Sequence, residues 1–177
     1  MVKPVVAAVV ALLCVGAASA QTPDAPAPPR YACTAAAHRA FDFWVGSWDV
    51  FVTGTLRQAG ASLVQRKDGG CVVTEQWTAS GGGFSGRSLN MFDATTGRWA
   101  QVWMDSAGEV TRYEGGPTPT GMMLVAEDEV KPDRPGRQSL RMTFTRNPNG
   151  TVRQLGETSP DRGVTWTTSY DLTYRPH

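Results

Sequence analysis

The chain has 177 residues, which is enough for one domain and short for two. Its 17 basic residues nearly balance its 16 acidic ones, and no segment is a run of lysine and arginine. This balance excludes an electrostatic footprint for nucleic acid or for an anionic membrane surface, so we expect neither as a partner.

Residues 1–20 have the three parts of a secretory signal peptide. Lys3 precedes an apolar run over 5–15, and Ala18-Ser19-Ala20 forms a small-residue cleavage site. The run is too short to span the roughly 30 Å of a bilayer's hydrocarbon core. We therefore predict cleavage after Ala20, export to the periplasm or the medium, and no membrane insertion afterwards. Cleavage removes one lysine and no acid, so the mature chain is formally neutral.

Cleavage also removes Cys14 and leaves two cysteines, Cys33 and Cys71. In an exported protein, two cysteines most simply form one disulfide. The chain-entropy model gives such a loop a stabilisation of roughly 4 kcal/mol. The histidines of the mature chain, His38 and His177, stand in no metal-ligand spacing with these cysteines. We expect no metal and no cofactor.

The segment after the leader, residues 21–30, holds four prolines and no large apolar residue, and we interpret it as a flexible linker. Residues 31–177 are predicted to form a single domain. Between Thr34 and Trp44 the apolar residues fall near helical spacing, which predicts one short helix or 3₁₀ turn with Thr34 as its N-cap. No later segment has a helical pattern.

Beyond Gly46 the chain consists of short β-branched and aromatic segments that are separated by glycine, proline and asparagine, which is typical of an all-β protein. Ten segments have this character, near residues 47–57, 60–68, 71–79, 84–92, 98–105, 109–115, 121–130, 137–146, 151–158 and 164–174. Short turns between them, such as Asn147-Pro148-Asn149-Gly150, require antiparallel neighbours. About ten strands in a meander leave two exposed edges unless the sheet closes, which favours an up-and-down barrel over a sandwich.

One strand face indicates what the barrel holds. Trp99, Gln101, Trp103 and Asp105 alternate along 98–105, and two tryptophans beside a glutamine favour an inward face. The same mixture recurs on other strands, at Glu75 with Trp77, at Ser88 with Asn90, and at Arg141 with Thr143. We therefore predict a polar-aromatic cavity. The alternative is that these polar residues face solvent.

The motif Gly46-Ser47-Trp48, preceded by a helical turn, resembles the Gly-x-Trp motif of lipocalins. The resemblance implies that Trp48 packs across the closed end of the barrel and that Arg175 lies over its ring in a cation–π contact. The segments FDFWVGSWDV, DGGCVVTEQW, SLNMFD, GRWAQVWMDSAG and SPDRGVTW together resemble a family of exported bacterial proteins of unknown function. That resemblance covers roughly residues 33–174 and implies a lipocalin-like (calycin-type) barrel, but no activity.

We expect the cavity to bind a small amphipathic or polar-aromatic molecule. The candidate ligand-binding residues are Trp77, Asn90, Trp99, Gln101, Trp103 and Arg141. An enzyme would use Glu75 and Asp105 as acid and base, with Arg141 holding an anion. A buried polar network or salt bridges at the rim would explain the same residues without catalysis.

The chain has no glycine-flanked nucleophile elbow and no internal histidine as base, which excludes a Ser-His-Asp enzyme. A third class, a structural or interaction protein of the envelope, stays open. A pocket closed to solvent would favour an apolar ligand. A raised pKa of Glu75 beside an open mouth would favour catalysis.

Overall fold

The computed structural model describes Met1 and residues 33–130 and 136–177. Its ten strands are β1 (Gly46–Val52), β2 (Gln58–Lys67), β3 (Val72–Ala79), β4 (Ser85–Asp93), β5 (Arg98–Asp105), β6 (Val110–Thr118), β7 (Gly121–Val130), β8 (Arg137–Arg146), β9 (Val152–Ser159) and β10 (Thr167–Pro176). A helix α1 (Ala36–Arg39) and a first 3₁₀ turn (Asp42–Trp44) precede β1, and a second 3₁₀ turn (Asp68–Gly70) follows β2. The predicted leader beyond Met1 and the predicted linker lie outside the described residues.

The strands form a closed antiparallel barrel in which each strand pairs with its neighbours in sequence. β1 closes the barrel against β10, with Trp48 opposite Pro176 and Val52 opposite Leu172. The prediction of a ten-stranded up-and-down barrel is confirmed. The barrel has ten strands, two more than a lipocalin barrel. Because barrel diameter grows with strand number, its interior is wider than that of an eight-stranded barrel.

The last strand begins later than predicted, at Thr167 rather than near residue 164. The preceding residues form a loop around Asp161, whose carboxylate accepts hydrogen bonds from the backbone N–H and the hydroxyl of Thr165. The Ser159 hydroxyl accepts a hydrogen bond from the Gly163 N–H in the same loop. These side-chain acceptors compete with strand pairing, which delays the start of β10.

The short helix and 3₁₀ turn lie where they are predicted, but the N-cap position is taken by Ala35 rather than by Thr34. Residues 36–44, which we call the plug, are tied to the barrel in two ways. The predicted disulfide between Cys33 and Cys71 is present, with Cα atoms 5.0 Å apart. The Arg66 guanidinium donates hydrogen bonds to the Asp42 carboxylate in the plug. The plug is therefore held at the end of the barrel where β2 ends and β3 begins.

The plug inserts aromatic side chains into the barrel. Phe41 and Trp44 are fully buried and pack with ring centroids 4.9 Å apart. Phe41 also meets Phe144 of β8 at 4.9 Å, and Trp44 lies 6.0 Å from Tyr174 of β10. Such stacked and edge-to-face arrangements are favourable for aromatic rings. This end of the barrel is closed by a dry aromatic core.

Trp48 belongs to this core, as the motif predicts. Its side chain is 6 % exposed, and its indole N–H donates a hydrogen bond to the Trp44 carbonyl at 2.9 Å. The predicted stacking of Arg175 on Trp48 is wrong. Arg175 lies opposite Asp49 in the pairing of β10 with β1. It follows the buried Tyr174 in sequence, so the alternation of side chains along the strand places it on the outer face. Its guanidinium lies over the ring of Phe51, 4.2 Å from the centroid.

Candidate ligand-binding cavity

The half of the barrel away from the plug encloses a cavity of about 400 Å³ that opens to solvent. Its lining residues come from six of the ten strands, β3, β5, β6, β8, β9 and β10, and from two loops: Glu75, Trp77, Phe84, Gln101, Trp103, Asp105, Glu109, Thr111, Tyr113, Leu140, Met142, Gln154, Tyr170, Leu172 and Tyr174. Four of them, Phe84, Asp105, Glu109 and Tyr170, are not buried and also line an adjoining depression, and they form what we call the rim.

A connected set of buried polar side chains separates this cavity from the dry core, and we call it the floor: Ser62, Glu75, Ser88, Asn90, Gln101, Gln154 and Tyr174. Asn90 accepts a hydrogen bond from the Gln101 amide at 2.6 Å and donates to the Ser88 hydroxyl at 2.9 Å. The Tyr174 hydroxyl donates to the Gln154 carbonyl oxygen at 2.7 Å. Because partners within the fold satisfy these groups, burying them is tolerated.

Glu75 lies at the centre of the floor. The Ser62 hydroxyl donates to its Oε1 at 2.9 Å, and the Ser88 hydroxyl to its Oε2 at 3.3 Å. The Tyr174 hydroxyl lies 3.4 Å from Oε1. Burial raises the pKa of Glu75 from 4.5 to about 7, although these three hydroxyl groups act in the opposite direction. The carboxyl group therefore changes its charge near neutral pH.

Three aromatic rings of the cavity wall rest on glycines of a neighbouring strand. A Cβ atom added at Gly86 would lie 2.2 Å from the Trp103 ring, and one at Gly60 would lie 2.8 Å from the Trp77 ring. A Cβ atom at Gly156 would lie 2.2 Å from the ring of Tyr170. The absence of side chains at the glycines lets the rings lie against the wall. The centre of the barrel stays open as a result.

Tyr170 owes its position to a β-bulge. The register between β9 and β10 shifts between Thr168 and Tyr170, and Tyr170 stands opposite Gly156. Without the extra residue, the strand alternation would direct Tyr170 to the same outer side as Thr168. The bulge turns the ring into the cavity.

At the rim, Asp105 is part of a turn. Its Oδ2 accepts a hydrogen bond from the Trp103 indole N–H at 3.0 Å, which fixes that ring against the wall. Its Oδ1 accepts from the backbone N–H groups of Ala107 and Glu109. Asp105 and Glu75 thus have separate hydrogen-bond partners. The structure does not bring these two predicted catalytic candidates together as a hydrogen-bonded pair.

The predicted ligand-binding residues fall into three groups: three line the cavity, two lie deeper in the barrel, and Arg141 faces outward. Trp77, Gln101 and Trp103 line the cavity. Asn90 and Trp99 also point into the barrel but do not line the cavity. Asn90 is fully buried in the floor, and the Trp99 indole N–H donates a hydrogen bond to the Ala37 carbonyl of the plug. As predicted, the face with Trp99, Gln101 and Trp103 points inward.

The prediction that Arg141 and Thr143 face the interior is wrong. Their neighbours on β8, Leu140, Met142 and Phe144, fill the buried positions, so alternation directs Arg141 outward. Its Nε donates to the Glu157 carboxylate at 2.8 Å, and its guanidinium stacks on Trp166, 4.1 Å from the ring centroid. Arg141 reaches only a shallower depression that continues the mouth of the cavity.

Several residues of the cavity lining or of the floor are not predicted from the sequence: Ser62, Glu109, Tyr113, Gln154, Tyr170 and Tyr174. A usable signal was present in the spacing of Tyr170 and Tyr174, which places both rings on one face of a regular strand. Another was a glycine within a predicted strand, as at Gly86 and Gly156, because such a glycine often marks a ring packed on the backbone. No local pattern links Tyr174 to Glu75, because the two residues are 99 positions apart, whereas Ser62 and Ser88 lie on the neighbouring strands β2 and β4.

Metal binding has no support in the part of the chain that the structure describes, because no three His, Cys, Asp or Glu side chains come together there. Within the same residues, no helix has the length and apolar character needed to cross a membrane. The chain matches no protein-family model and no curated protein. Inference about its function therefore depends on the cavity.

Proposed function

We propose that the protein is an exported binding protein that holds one small amphipathic molecule inside its barrel. The observation that carries this proposal is the open cavity of about 400 Å³ with aromatic walls and a hydrogen-bonded floor. Ligand pockets are commonly 300–1,000 Å³ in volume, largely apolar, and fitted with a few polar groups that orient the ligand. The walls would hold the apolar part of the molecule, and the floor would orient its polar group.

The first test is binding of N-phenyl-1-naphthylamine, a neutral dye whose fluorescence rises in apolar surroundings. We expect the mature protein to bind it and its tryptophan fluorescence to respond, because Trp77 and Trp103 border the cavity. Leu140→Trp, which adds bulk inside the cavity, should weaken binding about tenfold or more, equivalent to about 1.4 kcal/mol. The matched control is Leu89→Trp, at an exposed position of β4.

The proposal fails if the dye does not bind, or if both substitutions weaken binding equally. Native mass spectrometry of protein purified from its own host gives an independent test. A molecule that co-purifies with the wild type and is lost in Leu140→Trp would identify the natural ligand.

The leader sequence and the disulfide between Cys33 and Cys71 support the exported location. Membership in the exported family that the sequence resembles is part of the same proposal. The mature protein is expected to begin at Gln21, which N-terminal sequencing checks. Recovery of protein that still begins at Met1 from the cell envelope would contradict cleavage.

A second candidate function is catalysis with Glu75 as general acid or base. Two observations favour it: the pKa of Glu75 is raised to about 7, and the cavity that it lines opens to solvent. Chemical turnover of the co-purified molecule, lost in Glu75→Gln while binding persists, would support catalysis. Binding without turnover at any pH between 5 and 9 would leave binding as the function.

A further inference from the structure

We infer that the ligand of this cavity is an organic cation, an amine or quaternary ammonium group attached to an apolar body. This inference rests on the proposed binding function and names its ligand class. It comes from three features of the cavity. Carboxylates lie both in the floor and at the rim, the described lining residues include no basic side chain, and aromatic side chains line the walls.

The first feature is the distribution of acidic groups. Glu75 lies in the floor, and Asp105 and Glu109 lie at the rim. The partners of Glu75 within hydrogen-bonding distance are hydroxyl groups, from Ser62, Ser88 and Tyr174. Hydroxyl donors lessen the cost of a buried negative charge but do not neutralise it. An ammonium group in the cavity would provide the missing counter-charge.

The second feature is the absence of cations from the described residues that line this cavity, which include no arginine, lysine or histidine. The basic side chain at the adjoining depression is Arg141. It is already paired with Glu157 and stacked on Trp166 outside the barrel. A ligand anion would meet only carboxylates inside, with no side chain to compensate its charge.

The third feature is the aromatic lining. Trp77, Trp103 and Tyr113 border the space between the floor and the rim, and Tyr170 adds a fourth ring at the rim. The faces of aromatic rings carry negative electrostatic potential and attract ammonium groups, most strongly where water is excluded. The resting of Trp77, Trp103 and Tyr170 on glycines leaves space among the rings for such a group.

The groups that face Glu75 strengthen this reading. Burial, followed by the charge of Glu75, raises the pKa of the Tyr174 hydroxyl. Burial, followed by the charges of Glu129 and Glu109, raises the pKa of the Tyr113 hydroxyl. Burial, followed by the charges of Tyr113 and Glu75, raises the pKa of the Tyr170 hydroxyl. Gln154 on β9 and Leu140 and Met142 on β8 carry no charge. The interior therefore disfavours additional negative charge.

The test uses three molecules that share one apolar body: 3-phenylpropan-1-amine, 3-phenylpropan-1-ol and 3-phenylpropanoate. Their affinities for the full mature protein are measured at pH 8 by calorimetry and by displacement of the naphthylamine dye. We expect the amine to bind about tenfold or more tightly than the alcohol, as befits a partly desolvated cation beside aromatic faces and a carboxylate. The carboxylate should bind most weakly.

Glu75→Gln should weaken amine binding about tenfold or more relative to alcohol binding, so that the preference for the amine over the alcohol is lost. The control Glu114→Gln removes the same charge at an exposed position of β6 and should change neither. A second test needs no variant. Amine affinity of the wild type should rise between pH 6 and 8, because Glu75 ionises in this range while an alkylamine stays protonated. The affinity for the alcohol should stay constant over this pH range.

Binding of the alcohol as tightly as the amine would overturn the inference, as would an amine affinity that ignores both Glu75→Gln and pH. If the dye binds but none of the three molecules does, the cation inference is wrong and the proposed binding function stands. If neither the dye nor any of the three binds, both are wrong.

Discussion

The two ends of this barrel are built from the same kinds of side chain and are nevertheless opposite in character. At the plug end, Phe41 and Trp44 are fully buried against Phe144, and no solvent-filled space separates them. At the other end, Trp103 and Tyr170 lie against glycines and border an open cavity. The contrast teaches that aromatic content alone does not make a core. The side chains of the plug fill the space at one end, and at the other end the rings lie on glycines of the neighbouring strands and leave it open.

The floor is the boundary between the two regions, and Tyr174 takes part in both. Its ring packs edge-on against Trp48, 6.2 Å between centroids, and its hydroxyl donates to Gln154 in the floor. Stability should therefore depend chiefly on the plug end, and ligand affinity on the cavity end. Four predictions test this division.

The largest effect is expected from Trp48→Ala, which should cost roughly 3–5 kcal/mol because it removes a buried indole from a close-packed core. Trp103→Ala serves as the comparison. Its ring already borders open space, so we expect a loss of about 1 kcal/mol or less together with weaker dye binding. Urea unfolding monitored by circular dichroism measures both. Equal losses for the two variants would contradict the division.

Replacing both cysteines by serine should cost roughly 4 kcal/mol, since the disulfide between Cys33 and Cys71 restricts a long loop in the unfolded chain. Dye affinity should be unchanged in the absence of denaturant, because the bond ties the plug and not the cavity wall. Peptide mapping without reductant should recover the linked peptides. Two free thiols in protein purified without reductant would show that the bond does not form.

Glu75→Gln should stabilise the protein at high pH. The fold raises the pKa of Glu75 from 4.5 to about 7, so the native state binds the proton more tightly than the unfolded state. Stability from this group is full below about pH 4.5 and is lost as the pH rises through about 7, a difference of about 3 kcal/mol. Urea melts of both proteins at pH 4.5 and 8 check this. A wild type and variant with parallel pH profiles would refute the assignment.

Gly86→Ala should cost about 1–3 kcal/mol, because the added methyl group overlaps the Trp103 ring. The ring must move into the cavity, and dye affinity should fall with it. Gly116→Ala is the matched control, since a Cβ atom there meets nothing within 4 Å. Undiminished dye binding by Gly86→Ala would mean that the glycine does not keep the cavity open.

Much of the architecture could be predicted from local pattern. The two-residue period of a strand and the turn residues between strands are properties of neighbouring residues. The ten strands, and the shared face of Trp99, Gln101 and Trp103, follow from them. The disulfide could also be predicted, because removal of the predicted leader leaves only Cys33 and Cys71 to pair. Alternation establishes which residues share a face.

Alternation does not establish which face points inward when both are mixed, and it does not give the level of a residue along the barrel. Arg141 was assigned inward, yet its bulky apolar neighbours Leu140 and Met142 hold the interior. Trp99 and Trp103 share a face, but the plug covers the first and the second borders the cavity. These outcomes arise from contacts between segments distant in sequence, namely the insertion of the plug, the stagger of the strands and the bulge before Tyr170.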